Sequence, residues 1–185
     1  MKLKQFMIID MLIFLALSII SEWIGSLINP KLLYISFAQV LLLALLIRWQ
    51  WWGLIPVAIV AAIRPLIYKF QGFNEYLIYS IPILILALAL IPIKLKWLND
   101  MQKKRFKALL YFTTFYLLFV IVNGLLITIL VNNQYSLIND LPKYLLSLIV
   151  GNIIMFFLAG QKTMLINISE NHQTAEKDRD EHGND

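Results

Sequence analysis

ALLYFTTFYLLFVIVNGLLITILV, residues 108–131, is the stretch of sequence that decides the fold. It contains no charged side chain, and it follows the basic run KKRFK at residues 103–107. A helix needs about 20 mostly apolar residues to cross the hydrocarbon core of a bilayer. The stretch therefore predicts a transmembrane helix that begins at a basic interface.

The rest of the chain repeats this pattern. Of its 185 residues, 60% are hydrophobic and 15% are charged, whereas soluble domains are about 45–50% apolar and about 25% charged. The sequence lacks the alternation that is typical of outer-membrane β-barrels. Five further apolar stretches lie at about residues 6–28, 32–47, 51–70, 76–93 and 142–160. We therefore predict an all-α polytopic membrane protein, a bundle of six transmembrane helices.

The two ends of the chain differ in composition. Residues 170–185 carry six acids, two bases and no apolar run, which is typical of a disordered segment. The first apolar stretch contains Asp10 and exceeds the roughly 7–15 apolar residues of a signal peptide, so we expect it to be retained as a helix. The predicted organisation is a transmembrane domain over residues 1–169 and a disordered acidic cytoplasmic tail over residues 170–185.

Lysine and arginine predict the orientation of the helices. If the N-terminus is cytoplasmic, the cytoplasmic segments hold 12 of the 16 basic residues, and six of these lie between residues 94 and 107. Cytoplasmic loops are enriched in lysine and arginine, so we predict that both termini are cytoplasmic. The same charges can contact anionic headgroups of the lipid bilayer. Because topology accounts for the basic residues, we expect no nucleic-acid partner.

The residue types of common hydrolytic and metal chemistry are missing from the apolar stretches. The sequence has no cysteine, and both histidines, His172 and His182, lie in the tail. It contains neither a Gly-x-x-x-x-Gly-Lys-Ser/Thr phosphate loop nor a Gly-x-Ser-x-Gly nucleophile elbow. We therefore predict no catalytic residue, metal site or cofactor, and a carrier, receptor or scaffold rather than an enzyme.

Polar side chains of the six helices concentrate toward the predicted outer side. Polar residues inside membrane spans are costly and usually face a cavity or a partner. We therefore predict a polar, tyrosine-rich cavity that opens outward and is closed toward the cytoplasm. The substrate-binding candidates are Glu22, Tyr34, Gln39, Arg64, Tyr76, Tyr79, Asn123, Tyr144 and Asn152.

Several of these residues have two interpretations. Arg64 has a planar fork of donors that suits a carboxylate or phosphate ligand, but it also suits a structural pair with Glu22 or an interfacial position. Asn123 and Asn152 either line the cavity or form interhelical hydrogen bonds. Asp10 lies about one turn from the cytoplasmic interface, which favours an interfacial role.

Small residues mark places where helices can approach closely. Ser21 and Gly25 in the first helix have the four-residue spacing of such contacts, and so do Ala58 and Ala62 in the third. Ala16 lies on a nearby face of the first helix. The partner-binding candidates are therefore Ala16, Ser21, Gly25, Ala58 and Ala62.

Two stretches are similar to a known family. LLLALLIRWQWWGLIPVAIVAAI at residues 41–63 resembles the helix 2–loop–helix 3 region of substrate-binding (S) components of energy-coupling-factor (ECF) vitamin transporters, and LIVGN at residues 148–152 resembles their last helix. The resemblance spans about residues 6–168. It implies a subunit of the bacterial plasma membrane that captures a water-soluble vitamin or precursor, while a membrane coupling subunit and two ATPases drive uptake. In that family, small residues in helix 1 at Ala-x-x-x-Ala spacing contact the coupling subunit, whereas Ala16 is followed four residues later by Ile20.

A scaffold function is the alternative. Rod-shape-determining MreD proteins are similar in length, have five or six short helices and end in a short cytoplasmic tail. They act as membrane scaffolds for wall-building complexes and bind no small substrate. An outward tyrosine-rich cavity favours the S-component interpretation, and the interrupted small-residue spacing in helix 1 favours the scaffold.

Overall fold

The computed structural model describes residues 3–28, 35–94, 105–131 and 137–161, with side chains for residues 4–28, 35–93, 105–131 and 142–161. These residues form helices and contain no strand. The candidate ligand residue Tyr34 and the proposed tail at 170–185 lie outside the described residues. So does most of the basic segment between residues 94 and 107.

The helices follow the predicted stretches closely. They are α1 Leu3–Leu27, α2 Ala38–Trp49, α3 Leu54–Ile67, α4 Phe73–Ile85, α5 Leu90–Lys94, α6 Arg105–Val131 and α7 Leu137–Gly160. Two 3₁₀ segments, Gln50–Gly53 and Leu86–Ala89, join α2 to α3 and α4 to α5. Five helical stretches of the described chain are long and apolar enough to cross a membrane: Lys4–Leu27, Ala38–Ile67, Phe73–Ile93, Arg105–Val131 and Pro142–Gly160. The chain is therefore an all-α, multi-pass membrane protein; the number of crossings depends on the stretch Ala38–Ile67.

The chain reverses direction within Ala38–Ile67. Gln50 has a φ of 48° at the end of α2, a left-handed value that is uncommon for residues other than glycine. Gly53 then packs against α2, because a Cβ there would lie 3.1 Å from the Leu45 carbonyl oxygen and the Leu46 Cα. Glu22 of α1 contacts Gln39 near the start of α2 and Arg64 near the end of α3. These two ends therefore lie at the same level on α1.

α2 is the central helix of the bundle. All but one of its 12 residues are buried, and Leu42, Leu43, Leu45 and Leu46 are wholly inaccessible. It contacts α1, α3, α6 and α7. At about 1.5 Å per residue it spans roughly 18 Å, which is shorter than the hydrocarbon core of about 30 Å. Neighbouring helices rather than lipid surround it, and this enclosure makes the short length tolerable.

The outer helices present apolar faces to their surroundings. On α1, Leu12, Ile13, Leu17 and Ile20 are each about half exposed. In a bilayer these side chains contact lipid tails, so their exposure carries no penalty. The polar groups of the bundle are instead gathered between the helices.

Candidate functional site

Glu22 is the centre of a buried polar cluster at one end of the bundle. The residue is wholly inaccessible. Its carboxylate accepts hydrogen bonds from Arg64 Nε at 3.1 Å, from Ser36 Oγ at 2.8 Å and from Gln39 Nε2 at 3.4 Å. A buried carboxylate is costly unless it is paired and hydrogen-bonded. The structural pair that the sequence allowed for Glu22 and Arg64 is therefore present, and a ligand-binding role for either residue stays a prediction.

Arg64 completes the cluster from α3. It is 3% exposed, and its Nη1 donates a hydrogen bond to the Tyr79 carbonyl oxygen at 2.9 Å. Its guanidinium carbon lies 5.1 Å from the ring centre of Phe119, 5.5 Å from Tyr68 and 5.8 Å from Tyr79. Aromatic faces within about 6 Å attract a cation. The guanidinium is thus held by one carboxylate, one carbonyl and three rings.

Two stacked tyrosines separate this cluster from the surface. The rings of Tyr68 and Tyr79 are 5.0 Å apart and nearly parallel, at 12°. Both residues are partly exposed. They give the buried charges a boundary of flat aromatic faces, which suits stacking on a planar ligand.

Tyr76 lies one turn before Tyr79 on α4. Its ring meets that of Phe70 edge-on at 5.6 Å. Together with Gln71, Gly72 and Phe73, these two residues line an open groove of about 500 Å³. The groove and the stacked pair therefore belong to the same end of α4.

Serines fasten the segment at residues 35–37 between α1 and α7. Ser21 Oγ accepts a hydrogen bond from the Phe37 backbone N–H at 2.6 Å, and Ser147 Oγ accepts one from the Ser36 N–H at 3.0 Å. Gly25 packs directly against the Ile35 carbonyl, where any Cβ would collide. Backbone groups at membrane depth must be satisfied within the protein, and the serines provide this.

The small residues proposed for partner contact fall into two groups. Ser21 and Gly25 are buried against the chain's own segment at residues 35–37. Ala16, Ala58 and Ala62 are exposed. Contact with a partner subunit stays a prediction for all five residues. In this conformation the three exposed alanines are accessible to a partner.

The amide candidates lie between α6 and α7. Asn123 Nδ2 donates to Tyr144 Oη at 2.8 Å, and Tyr116 Oη donates to the Tyr144 carbonyl oxygen at 3.1 Å. Two turns further along α7, Asn152 Oδ1 accepts from Thr113 Oγ1 at 3.1 Å. Both asparagines therefore form the interhelical hydrogen bonds that the sequence allowed. They lie outside the hydrogen bonds that surround Glu22.

A second ion pair was missed by the sequence analysis. Asp10 Oδ2 accepts hydrogen bonds from Arg48 Nε at 2.7 Å and from Trp49 Nε1 at 2.6 Å. The apolar stretches predicted at residues 32–47 and 51–70 left Arg48 and Trp49 in a link between helices, but α2 extends through Trp49, and both residues are buried. Two features of the sequence could have indicated this pair. Arg48 directly follows an apolar run with no loop residue between them, and Asp10 is the one acidic residue among residues 1–21. Asp10 therefore fastens α1 to α2 rather than facing the interface alone.

The cluster around Glu22 is equipped for recognition. Its groups are a carboxylate, a guanidinium, an amide, hydroxyls and aromatic faces, which can form hydrogen bonds and stacking contacts with a ligand. No family model matches this chain, and neither a curated protein nor a solved structure matches it. The chemistry of the site therefore carries the functional argument.

Proposed function

We propose that this chain is the substrate-capture subunit of an ECF-type importer. In this proposal it binds a water-soluble vitamin or precursor outside the cell. A membrane coupling subunit and two ATPases then drive uptake. The observation that carries the proposal is the buried Glu22–Arg64 cluster behind two partly exposed tyrosines.

The position of this cluster supports a binding role. The first half of α2 reaches the cluster through Gln39, whereas residues 42–46 in its middle are buried among aliphatic and aromatic side chains. This apolar middle of α2 separates the Glu22 cluster from the smaller Asp10–Arg48 pair at the other end of the helix. Ionisable residues inside membrane spans are rare, and they are found along substrate and ion pathways.

A six-crossing topology accompanies the proposal. The contacts of Glu22 with Gln39 and Arg64 support separate crossings by α2 and α3. The distribution of basic residues favours cytoplasmic termini in a bacterial plasma membrane. The Glu22 cluster would then face the outside.

Each group in the cluster has a role toward a ligand. Arg64 offers a guanidinium for a carboxylate or ring oxygen, and Gln39 offers an amide. Tyr68 and Tyr79 offer faces for a flat ring. The existing Glu22–Arg64 pair keeps these charges compensated while no ligand is bound.

Thermal unfolding of the purified chain with a panel of water-soluble vitamins tests this function. A ligand at 100 times its Kd should stabilise the protein by about 2.7 kcal/mol. We expect Tyr79→Leu to remove that stabilisation. Trp52→Leu is the matched control, because Trp52 is an aromatic residue that is 54% exposed and joins α2 to α3.

The contrary result is equally specific. If no vitamin shifts the unfolding temperature and wall-building proteins co-purify with the chain, the importer function is wrong and the MreD-like scaffold is favoured. If Trp52→Leu abolishes the stabilisation as completely as Tyr79→Leu, the ligand does not bind at the Glu22 cluster.

A further inference from the structure

Arg105 occupies a defined position where two membrane spans end side by side. It is the first residue of α6, and its guanidinium lies 4.8 Å over the ring of Phe156 on α7. It also packs against Gly160, where an added Cβ would be 3.1 Å from a guanidinium nitrogen. Gly160 leaves room for the guanidinium, and the Phe156 ring attracts it, so this exposed cation lies against the neighbouring helix.

Arg105 forms no ion pair with an acid of the described residues. The ion pairs Arg48–Asp10 and Arg64–Glu22 lie elsewhere in the bundle. In the sequence, Arg105 belongs to a segment of 14 residues, 94–107, with six bases and one acid. The sequence at this end of α6 therefore carries an excess of positive charge.

Exposed apolar residues are the sequence neighbours of Arg105 and Phe156. Phe106 is 73% exposed and Phe157 is 66% exposed, and both lie within predicted spans. A fixed guanidinium beside exposed phenylalanines matches a molecule that has an anionic head and apolar chains. Basic sites between membrane helices commonly bind such headgroups.

We propose that the junction of Arg105, Phe156 and Gly160 binds the phosphate headgroup of an anionic phospholipid. The guanidinium fork can donate two hydrogen bonds to phosphate oxygens. The acyl chains then extend along Phe106 and Phe157. The proposal is independent of the importer function and of the orientation of the chain, because both span ends lie at an interface in either orientation.

Native mass spectrometry of the full chain from nanodiscs tests the proposal. The nanodiscs contain phosphatidylcholine alone or mixed with phosphatidylglycerol, and retained lipid is counted. We expect selective retention of phosphatidylglycerol, weakened about fivefold by Arg105→Ala. Phe156→Leu keeps every charge and should weaken retention in the same direction, since the guanidinium loses the ring that holds it.

Lys4→Ala is the matched control, because Lys4 is an exposed base at the start of another span. It should leave phosphatidylglycerol retention unchanged. Inorganic phosphate added alone should not displace the lipid. Equal retention of the two lipids, equal losses in Arg105→Ala and Lys4→Ala, or displacement by free phosphate would each overturn the proposal.

Discussion

α1 supplies the acid of two ion pairs that differ in what surrounds them. Asp10 and Glu22 are twelve residues apart in the sequence, or roughly 18 Å along the helix. The Asp10 side chain is 12% exposed, and both of its donors are neighbouring residues at the end of α2. The Glu22 side chain is inaccessible, and its donors come from α2, α3 and the segment at residues 35–37.

The two ion pairs have similar chemistry but different surroundings, and we infer different roles for them. Around Asp10, hydrogen bonds from two adjacent residues join α1 to α2. Around Glu22, several elements and three aromatic rings converge on one pair, and two of these rings form the partly exposed stack of Tyr68 and Tyr79. Convergence, rather than charge itself, distinguishes a candidate binding site from a structural contact.

Removal of the buried carboxylate should produce the largest effect. Glu22→Leu leaves the Arg64 guanidinium buried without its counter-charge, which should lower the free energy of unfolding by about 3–5 kcal/mol. The double variant Glu22→Leu/Arg64→Met should recover most of that loss, because no buried charge remains. Unfolding in detergent micelles measures both. A loss below about 1 kcal/mol in the single variant would contradict the enclosure of this pair.

The second largest loss of stability is expected where Gly25 packs against the Ile35 carbonyl, beside the Glu22 cluster. Gly25→Ala places a methyl group against the Ile35 carbonyl, and such overpacking costs about 1–3 kcal/mol. Gly72→Ala is the control, since a Cβ at Gly72 meets no atom within 4 Å. The same unfolding assay should show little change for Gly72→Ala. Equal losses in the two variants would mean that residues 35–37 do not pack on α1 as described.

The Asp10 pair should give the smallest effect. Asp10→Asn retains an oxygen that can accept from Arg48 Nε and from Trp49 Nε1. We expect a loss of about 1–2 kcal/mol and an unchanged response to a stabilising vitamin. If this variant loses ligand binding while Trp52→Leu does not, the two ends of α1 are coupled and the contrast between them fails.

The sequence predicted helix positions well because each span is a long apolar run. The stretch at residues 108–131 corresponds to α6, Arg105–Val131, and the stretch at 142–160 lies within α7, Leu137–Gly160. The start of α2 differed: Ala38 begins the helix because Ser21 and Ser147 bind the backbone of residues 36 and 37. Contacts across more than a hundred residues leave no local pattern in a sequence.

The site could be predicted only in part. Helical rise fixes the depth of each residue, so Glu22, Gln39, Arg64 and Tyr79 could be placed at one level from their positions in the spans. The rotation of each helix about its own axis, which decides the neighbours of each side chain, depends on packing against the other helices. The sequence therefore did not reveal Phe119 beneath Arg64, and it did not separate Asn152 from the Glu22 cluster.

The contrast between the two ion pairs is tested most directly by ligand binding to two double variants. The vitamin that stabilises the protein most would be titrated calorimetrically into wild type, Glu22→Leu/Arg64→Met and Asp10→Leu/Arg48→Met, each checked for helical content by circular dichroism. We predict one bound vitamin per chain with the same Kd for wild type and the Asp10/Arg48 variant, and no measurable binding to the folded Glu22/Arg64 variant. Binding to the Glu22/Arg64 variant with the wild-type Kd would contradict it.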